Sequence, residues 1–328
     1  MSNKQKPIVI TCGDPAGVGP EVAISAWNAL KDVIPLCLVI DPDFLPKNLN
    51  IEILDRPPLI SNIDKNVLTV IRHEFAEHRD PGKPNPKNAK GTITAVERGV
   101  NFLKNGQCSA ICTMPISKSI LKDGANFSFP GHTEYLAHLD GRNSYGMMLV
   151  NKYLRVVPAT IHIPIKDITK YLNAELIEKT IQTTHHELIN RFSIPNPIVW
   201  ISGLNPHAGE AGTIGDEEKK FIIPVIKKLG SKGYNLVGPI SADTMFYRKK
   251  RLKFDAAICM YHDQALIPIK TLDFHSSVNL TIGLSFIRTS PDHGTAFDIA
   301  GKNLANPTST IEAIKLAWKL VEKEKKYR

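Results

Sequence analysis

The sequence lacks the features of membrane-spanning, secreted and disulfide-stabilised proteins. It has no apolar run long enough to span a bilayer, and its polar start leads into a strand-like segment without the apolar core of a signal peptide. Its five cysteines are scattered, and no C-x-x-C pair occurs. Cys37 and Cys259 lie in apolar runs, which is typical of buried reduced thiols. These absences predict a cytoplasmic protein with no membrane association.

The sequence also lacks a segment that would favour nucleic-acid binding. The formal net charge is +9, but the densest basic runs are only residues 248–251 and 323–328. We interpret both as solvated helix ends, where basic residues are favoured, and no aromatic residues interleave with a basic stripe. The positive balance instead suits a small anionic substrate, so we expect no nucleic-acid partner.

Standard nucleotide and metal motifs are absent as well. The glycine-rich segment CGDPAGVGPE at residues 12–21 fits neither G-x-x-x-x-G-K-[ST] nor G-x-G-x-x-G, and no H-E-x-x-H occurs. The segment lies between an apolar strand at 7–11 and an alanine-rich helix, where an anion or cofactor can bind. A tight turn is the alternative, but three glycines and two prolines exceed what a turn needs, so we favour binding.

Short apolar runs alternate with amphipathic segments along the chain. Runs at 36–40, 110–113, 197–202 and 256–260 predict buried strands. The alternation predicts an α/β fold with a largely parallel sheet and helices on both faces. At 328 residues, the chain has the length of two domains or one large domain.

Residues 254–270, FDAAICMYHDQALIPIK, form the most informative segment. The buried run ends at the polar residues Tyr261, His262, Asp263 and Gln264. Ligands of open α/β sheets bind beyond the carboxyl ends of the strands, so a metal ligand or catalytic group is expected here. A helix cap at Asp263 beside a structural histidine is the plainer alternative.

Three histidines share this context. His162, His207 and His262 each follow an apolar run within a few residues, so a parallel sheet could bring them to one edge. Three neutral imidazoles that leave open coordination positions suit Zn²⁺, Co²⁺ or another first-row ion. The pattern alone leaves open that the three are unrelated.

Other polar residues suit the binding of an anion. His132 and Thr133 fall in the first turn of a predicted helix, and Lys270, Arg288 and Asn279 could complete a phosphate and carboxylate site. Each could instead be a surface charge or a cap, Thr133 an N-cap in particular.

Ser117-Lys118 follows the strand at 110–113, where a catalytic pair is conceivable. We interpret Ser117 as the N-cap of the next helix.

Five motifs together resemble the 4-hydroxythreonine-4-phosphate dehydrogenase family of pyridoxal phosphate biosynthesis. They occur in family order over almost the whole chain, as GDPAGVGPE (13–21), PGHTEYLA (130–137), GLNPHAGEAG (203–212), MYHDQALIPIK (260–270) and IRTSPDHGTAFDIAGK (287–302). Residues 293–307 also resemble the cofactor loop of isocitrate and isopropylmalate dehydrogenases. Ser285 departs from the pattern, because a proline is expected at this turn.

The resemblance implies a two-domain isocitrate/isopropylmalate dehydrogenase-like fold in a homodimer, with active sites at the subunit interface. Residues 1–128 and 288–328 would form the cofactor-side domain. Residues 129–287 would form the domain for metal, substrate and dimerisation.

The resemblance also implies the roles of individual residues. One divalent ion per subunit (zinc, cobalt or magnesium) would be held by His162, His207 and His262. The substrate would be bound by His132, Thr133, Lys270, Asn279 and Arg288, with Asp243 and Lys270 as candidate catalytic bases. NAD or NADP would be bound by Gly13, Gly17, Gly19, His293, Gly294, Thr295, Asp298 and Asn306.

The implied reaction is oxidation of 4-phosphooxy-L-threonine at its C3 hydroxyl, followed by decarboxylation to 3-amino-2-oxopropyl phosphate. A paralogous dehydrogenase acting on 4-phospho-erythronate or 4-phospho-threonate is an alternative, because the same contacts would serve it. A phosphotransacetylase-like acyltransferase on the same fold is a second alternative, which would not need three metal histidines.

Overall fold

The computed structural model describes residues 6–327, with side chains described through residue 324, and it confirms the α/β class. Within these residues the strands are β1 (Ile8–Thr11), β2 (Leu36–Ile40), β3 (Ile51–Leu54), β4 (Leu68–Arg72), β5 (Ala110–Thr113), β6 (Gly146–Val150), β7 (Arg155–Pro158), β8 (Ile198–Ser202), β9 (Asn235–Ile240), β10 (Ala256–Cys259), β11 (Val278–Ile282) and β12 (Ile287–Pro291). The α-helices are α1 (Gly19–Leu30), α2 (Ala89–Lys104), α3 (Lys118–Ala125), α4 (His132–Asp140), α5 (Ile168–Tyr171), α6 (Ala174–Asn190), α7 (Ile223–Gly230), α8 (Arg248–Arg251), α9 (His262–Leu272) and α10 (Thr308–Tyr327).

The contacts divide the chain into two compact units. The first comprises the described residues up to Gly141 together with Leu284–Glu322, and the second comprises Arg142–Gly283 with the described residues from Lys323 onward. Residues 129–141 and 284–287, which the sequence-based division assigns to the metal and substrate domain, thus pack with the first unit. Tyr135, Leu136 and Phe286 lie in its apolar core, which explains this placement. The functional division into a cofactor side and a metal side stays a prediction.

Parallel strands form the first unit, in the order β3-β4-β2-β1-β5-β12. All residues of β1, β2 and β5 are buried, as expected for strands covered on both faces. Their carboxyl ends therefore lie at one edge, and the segments that follow them meet there. Asp14, which follows β1, donates its backbone N–H to Pro115 O at 2.9 Å.

The second unit has the strand order β11-β6-β7-β10-β8-β9. The strands β7, β10, β8 and β9 are mutually parallel, whereas β6 pairs antiparallel with both β7 and β11. His162, His262, His207 and Asp243 follow the four parallel strands, so each comes after a carboxyl end at the same edge. This confirms the parallel arrangement on which the histidine prediction depends.

Several local predictions can be compared with the structure. Cys37 and Cys259 are buried free thiols, as predicted. The basic run at 248–251 is not the end of a longer helix but forms the single-turn helix α8. None of the helices in the described part of the chain is long and apolar enough to cross a membrane.

Candidate active site

The N-terminus of α4 presents His132 and unsatisfied backbone donors. The N-cap is Gly131, which has no side chain to accept a hydrogen bond from the first turn. The interpretation of Thr133 as an N-cap is therefore wrong, because the helix begins one residue before it. The free N–H groups and the helix dipole at this end favour an anion.

Arg288 and His132 bring polar groups to this helix end. Arg288 is only 2% exposed, and its Nε and Nη2 donate to Thr113 Oγ1 at 3.1 and 2.7 Å. Burial lowers the pKa of Arg288 to about 10, so the guanidinium remains charged at neutral pH. Burial and the nearby Arg288 charge hold the pKa of His132 well below its usual value. Its buried Nε2 has no hydrogen-bond partner among the described residues, which leaves it available to a ligand.

The other two predicted substrate residues belong to the second unit. Asn279 lies in β11 opposite Leu149 of β6, and its buried Oδ1 finds no hydrogen-bond partner within residues 6–327. Lys270 lies in the last turn of α9, with its Nζ 5.4 Å from the centroid of the Phe274 ring. The buried, unsatisfied amide of Asn279 is the clearer ligand-binding feature of the two.

His162 and His262 are brought together in the second unit. Their ring centroids lie 5.9 Å apart, and both rings line a cavity of about 160 Å³ with Thr160, Ile165 and Tyr261. A divalent ion lies about 2.0–2.1 Å from each ligating imidazole nitrogen, so two ligating rings have centroids roughly 5–6 Å apart. The pair therefore fits two positions of a metal site.

Asp263 orients one ring of this pair. His262 begins α9, and its Nδ1 lies 2.7 Å from Asp263 Oδ1. The N-cap of α9 is Tyr261, so the alternative of Asp263 as a helix cap is wrong. A carboxylate on one imidazole nitrogen fixes the ring and directs the other nitrogen toward a ligand, as in many metal sites.

His207 does not line this cavity and lies in an unusual backbone segment. Residues His207 to Ala211 all have positive φ, between 40° and 77°, although only Gly209 among them is a glycine. His207 is close enough to Asp243 for its charge to help lower the pKa of that carboxyl, whose main cause is the hydrogen bond from Ser241. No group of three His, Cys, Asp or Glu side chains placed to hold a metal occurs among the described residues. Within the described residues, His162 and His262 are the two predicted imidazoles that line one cavity.

The glycine-rich loop at 13–19 is tightly packed. An added Cβ at Gly13, Gly17 or Gly19 would lie 2.3, 2.8 or 2.2 Å from a backbone oxygen, respectively of Pro115, Thr295 and Cys12. This packing accounts for the three glycines, and Gly13 also has a φ of +71°. The part of these glycines in cofactor binding stays a prediction.

The two segments predicted to bind the cofactor lie against each other. Val18 donates its backbone N–H to Thr295 O at 2.9 Å, and Gly301 donates to Glu21 Oε2 at 2.8 Å. Near this contact His293 has a buried Nε2 without a hydrogen-bond partner in the described chain, and a side chain at Gly294 would meet open space. The predicted residues Asp298 and Asn306 are exposed, and Asn306 Oδ1 accepts from Thr308 N at the start of α10.

Arg79 is a polar residue of this region that sequence analysis did not single out. Its Nε donates to Pro15 O at 2.6 Å, while its Nη2 is buried without a hydrogen-bond partner in the described part of the chain. No local pattern marks it, because it lies in an irregular segment far from the loop in sequence.

Comparisons with known proteins agree with the motifs. Residues 28–317 match the family described as pyridoxal phosphate biosynthetic protein PdxA. A protein of Roseobacter denitrificans named 4-hydroxythreonine-4-phosphate dehydrogenase is 52% identical over 318 residues, which cover 97% of this chain and 98% of that protein. A crystal structure of the enzyme of the same name from Klebsiella pneumoniae has a TM-score of 0.87 at 34% identity and covers 97% of this chain and 100% of its own.

More distant structures show the fold alone. A β-decarboxylating dehydrogenase of Thermococcus kodakarensis has a TM-score of 0.51 at 13% identity, covering 97% of this chain and 84% of its own. A branched-chain phosphotransacylase of Enterococcus faecalis has a TM-score of 0.55 at 10% identity, covering 96% of this chain and 99% of its own. These likenesses confirm the predicted fold class, which dehydrogenases and acyltransferases share.

Proposed function

The chain belongs to the family of the pyridoxal phosphate biosynthetic protein PdxA, and from this premise we propose that it is an NAD(P)- and divalent-metal-dependent 4-hydroxythreonine-4-phosphate dehydrogenase. It oxidises 4-phosphooxy-L-threonine at the C3 hydroxyl, and loss of CO₂ then gives 3-amino-2-oxopropyl phosphate. We further propose that it acts as a cytoplasmic homodimer. The observation that supports this most is the buried anion site formed by Arg288, His132 and the start of α4.

The substrate's negative charges are bound by groups that folding has already placed. Arg288 is charged and fixed by Thr113, so its guanidinium is positioned to bind an oxygen anion. His132 is neutral when the site is empty, because burial lowers its pKa, and an arriving phosphate dianion would favour its protonation. Thr133, Lys270 and Asn279 complete the predicted set of substrate contacts.

His162 and His262 would hold the divalent ion, with Asp263 fixing the ring of His262. Bound there, the ion supplies a Lewis acid that lowers the pKa of a ligating hydroxyl. Since His207 does not line the cavity of this pair, we place the His207 of a second copy in the third position. A dimer with shared sites accommodates this arrangement.

Asp243 and Lys270 are the candidates to accept the proton of the C3 hydroxyl. The hydrogen bond from Ser241 lowers the pKa of Asp243, so this carboxylate is ionised at neutral pH and can accept a proton. Lys270 could do so only in its neutral form. Bound NAD(P)⁺ supplies the hydride acceptor, and the contacting segments 13–21 and 293–301 would hold it.

The test is an absorbance assay at the NADH band. Purified protein receives NAD⁺ or NADP⁺, a divalent metal, and either 4-phosphooxy-L-threonine or 4-phospho-D-erythronate, with and without a chelator. We expect chelator-sensitive formation of reduced cofactor with the amino acid substrate. Activity with the sugar acid alone would assign the chain to the paralogous reaction, and inactivity of metal-loaded protein with both would refute the proposed function.

A further inference from the structure

Lys118 occupies a position where a cation is unfavourable for folding. It is the first residue of α3, directly after the N-cap Ser117, whose Oγ accepts from Ile120 N at 3.5 Å. Positive charge at a helix N-terminus opposes the helix dipole, and the first turn of α3 contains no acidic residue to compensate. Lys122 of the same helix lies in the last turn, where the dipole favours a cation.

The side chain of Lys118 reaches the N-terminus of α4. A Cβ built on Gly131, the N-cap of α4, would lie 3.6 Å from Lys118 Cε and 3.8 Å from its Nζ. Glu134 Oε2 would lie 3.3 Å from the same point, yet no ion pair within 4.0 Å joins Lys118 to an acidic group in the described chain. The ammonium therefore lies beside the free N–H groups of α4 without a carboxylate to neutralise it.

Positive groups outnumber negative ones at this place. Arg288 is buried and charged, and Glu134 is the acidic residue whose charge acts on it. The buried Nε2 of His132 lacks a hydrogen-bond partner among the described residues, which is the second sign of a missing ligand. Two cations, a helix N-terminus and one carboxylate leave an excess that matches a doubly charged anion better than a single carboxylate.

We infer that Lys118 binds the phosphate monoester of the substrate, together with Arg288 and the N-terminus of α4. The identity of the substrate rests on the proposed function, whereas the phosphate site rests on the geometry of the first unit. A Cβ at position 131 would press on Glu134 Oε2 and touch the stem of Lys118, so glycine leaves this helix end open to a ligand.

The experiment measures binding of inorganic phosphate to the full chain by calorimetry at low ionic strength, with neither substrate nor cofactor present. Lys118→Met keeps the length of the side chain and removes its charge, and Lys122→Met is the matched control on the same helix. We expect Lys118→Met to weaken phosphate binding by about tenfold to a hundredfold, as for loss of a charged hydrogen bond. Lys122→Met should bind phosphate like the parent, and Lys118→Met should unfold at or above the parent temperature because it removes a charge that the dipole of α3 disfavours.

Acetate serves as the singly charged probe. Equal weakening of acetate and phosphate binding in Lys118→Met would overturn the phosphate assignment in favour of the carboxylate. Unchanged phosphate binding in Lys118→Met would overturn the inference entirely. A protein that shows Lys118-dependent phosphate binding but no turnover of 4-phosphooxy-L-threonine would refute the proposed function and keep this site.

Discussion

The anion site of the first unit and the histidine region of the second differ in how far folding alone completes them. Arg288 is buried in a strand and held by Thr113, and the partly buried His132 stands at a helix start. His162 and His207 have positive φ, at 54° and 51°, and His207 does not line the cavity that His162 and His262 share. Helix N-termini and buried guanidinium groups bind an anion without backbone strain. Histidines at positive φ carry backbone strain, which the binding of an ion or of a partner chain would have to offset.

The largest effect that would test this contrast is loss of a proposed metal ligand. We expect His262→Ala to lower kcat/KM by roughly 10³-fold or more, because it removes several kcal/mol of Lewis-acid stabilisation. Phosphate binding at the first unit should be unchanged. Turnover, metal content after desalting and phosphate calorimetry measure the three quantities, with His186→Ala, an exposed residue of α6, as the control.

Mixed dimers would locate the third ligand. If His207 comes from the second copy, a heterodimer of His207→Ala and His262→Ala subunits regains one complete site and about half of the parent activity. An inactive heterodimer would place all three ligands in one chain, so that folding alone would complete both sites.

A smaller effect is the pH dependence of folding stability that His132 causes in the first unit. The pKa of His132 is lowered from 6.5, so below pH 6.5 the unfolded chain binds a proton that the folded chain does not. Stability is therefore present above this pH and falls as the pH drops toward the lowered value, by at most about 1.4 kcal/mol per pH unit. Urea unfolding at pH 7.5 and 5.5 should show a smaller loss for His132→Asn than for the parent.

Two features sharpen this pH test. His73 also has a lowered pKa, so the informative quantity is the difference between parent and variant. The control variant is His78→Asn, at an exposed position of the same unit, unfolded at the same two pH values. A His132→Asn variant with the full pH dependence would show that the imidazole is not held neutral by the fold.

The smallest effect is at Ser285. Its N–H donates to Asp140 Oδ2 at 2.6 Å and its Oγ to Oδ1 at 2.5 Å. Ser285→Ala removes one of these exposed hydrogen bonds, and we expect a loss of about 0.5–1 kcal/mol in the free energy of unfolding. Ser285→Pro inserts the residue of the family pattern but removes both donors, so it should lose more than Ser285→Ala. A proline variant that melts above the parent would contradict this account.

Sequence reasoning succeeded where local patterns decide the structure. The apolar runs at β5, β8 and β10 became buried strands, and Ser117 caps α3 as interpreted. Hydrophobic periodicity and helix capping depend on residues that are close in sequence, so a single sequence is enough to predict them.

The remaining features depend on contacts distant in sequence. Nothing in PHAGEA predicts a run of positive φ through non-glycine residues. The inferred role of Lys118 depends on its proximity to Gly131. The role of Ser285 depends on its hydrogen bonds to Asp140, which is 145 residues away in sequence. The antiparallel insertion of β6 between β7 and β11 likewise follows from pairing that no periodicity encodes.

The Asp140–Ser285 contact has a consequence for how the gene could be divided. The chain leaves the first unit after Gly141 and returns at Leu284, and the hydrogen bonds of Ser285 to Asp140 hold these two points together. Ends this close can be joined by a short linker, as in proteins that tolerate inserted domains. The codons for residues 142–283 therefore have the form of an internal cassette, and a coding sequence that skips them and stops at Glu322 would retain every segment of the first unit in its original order.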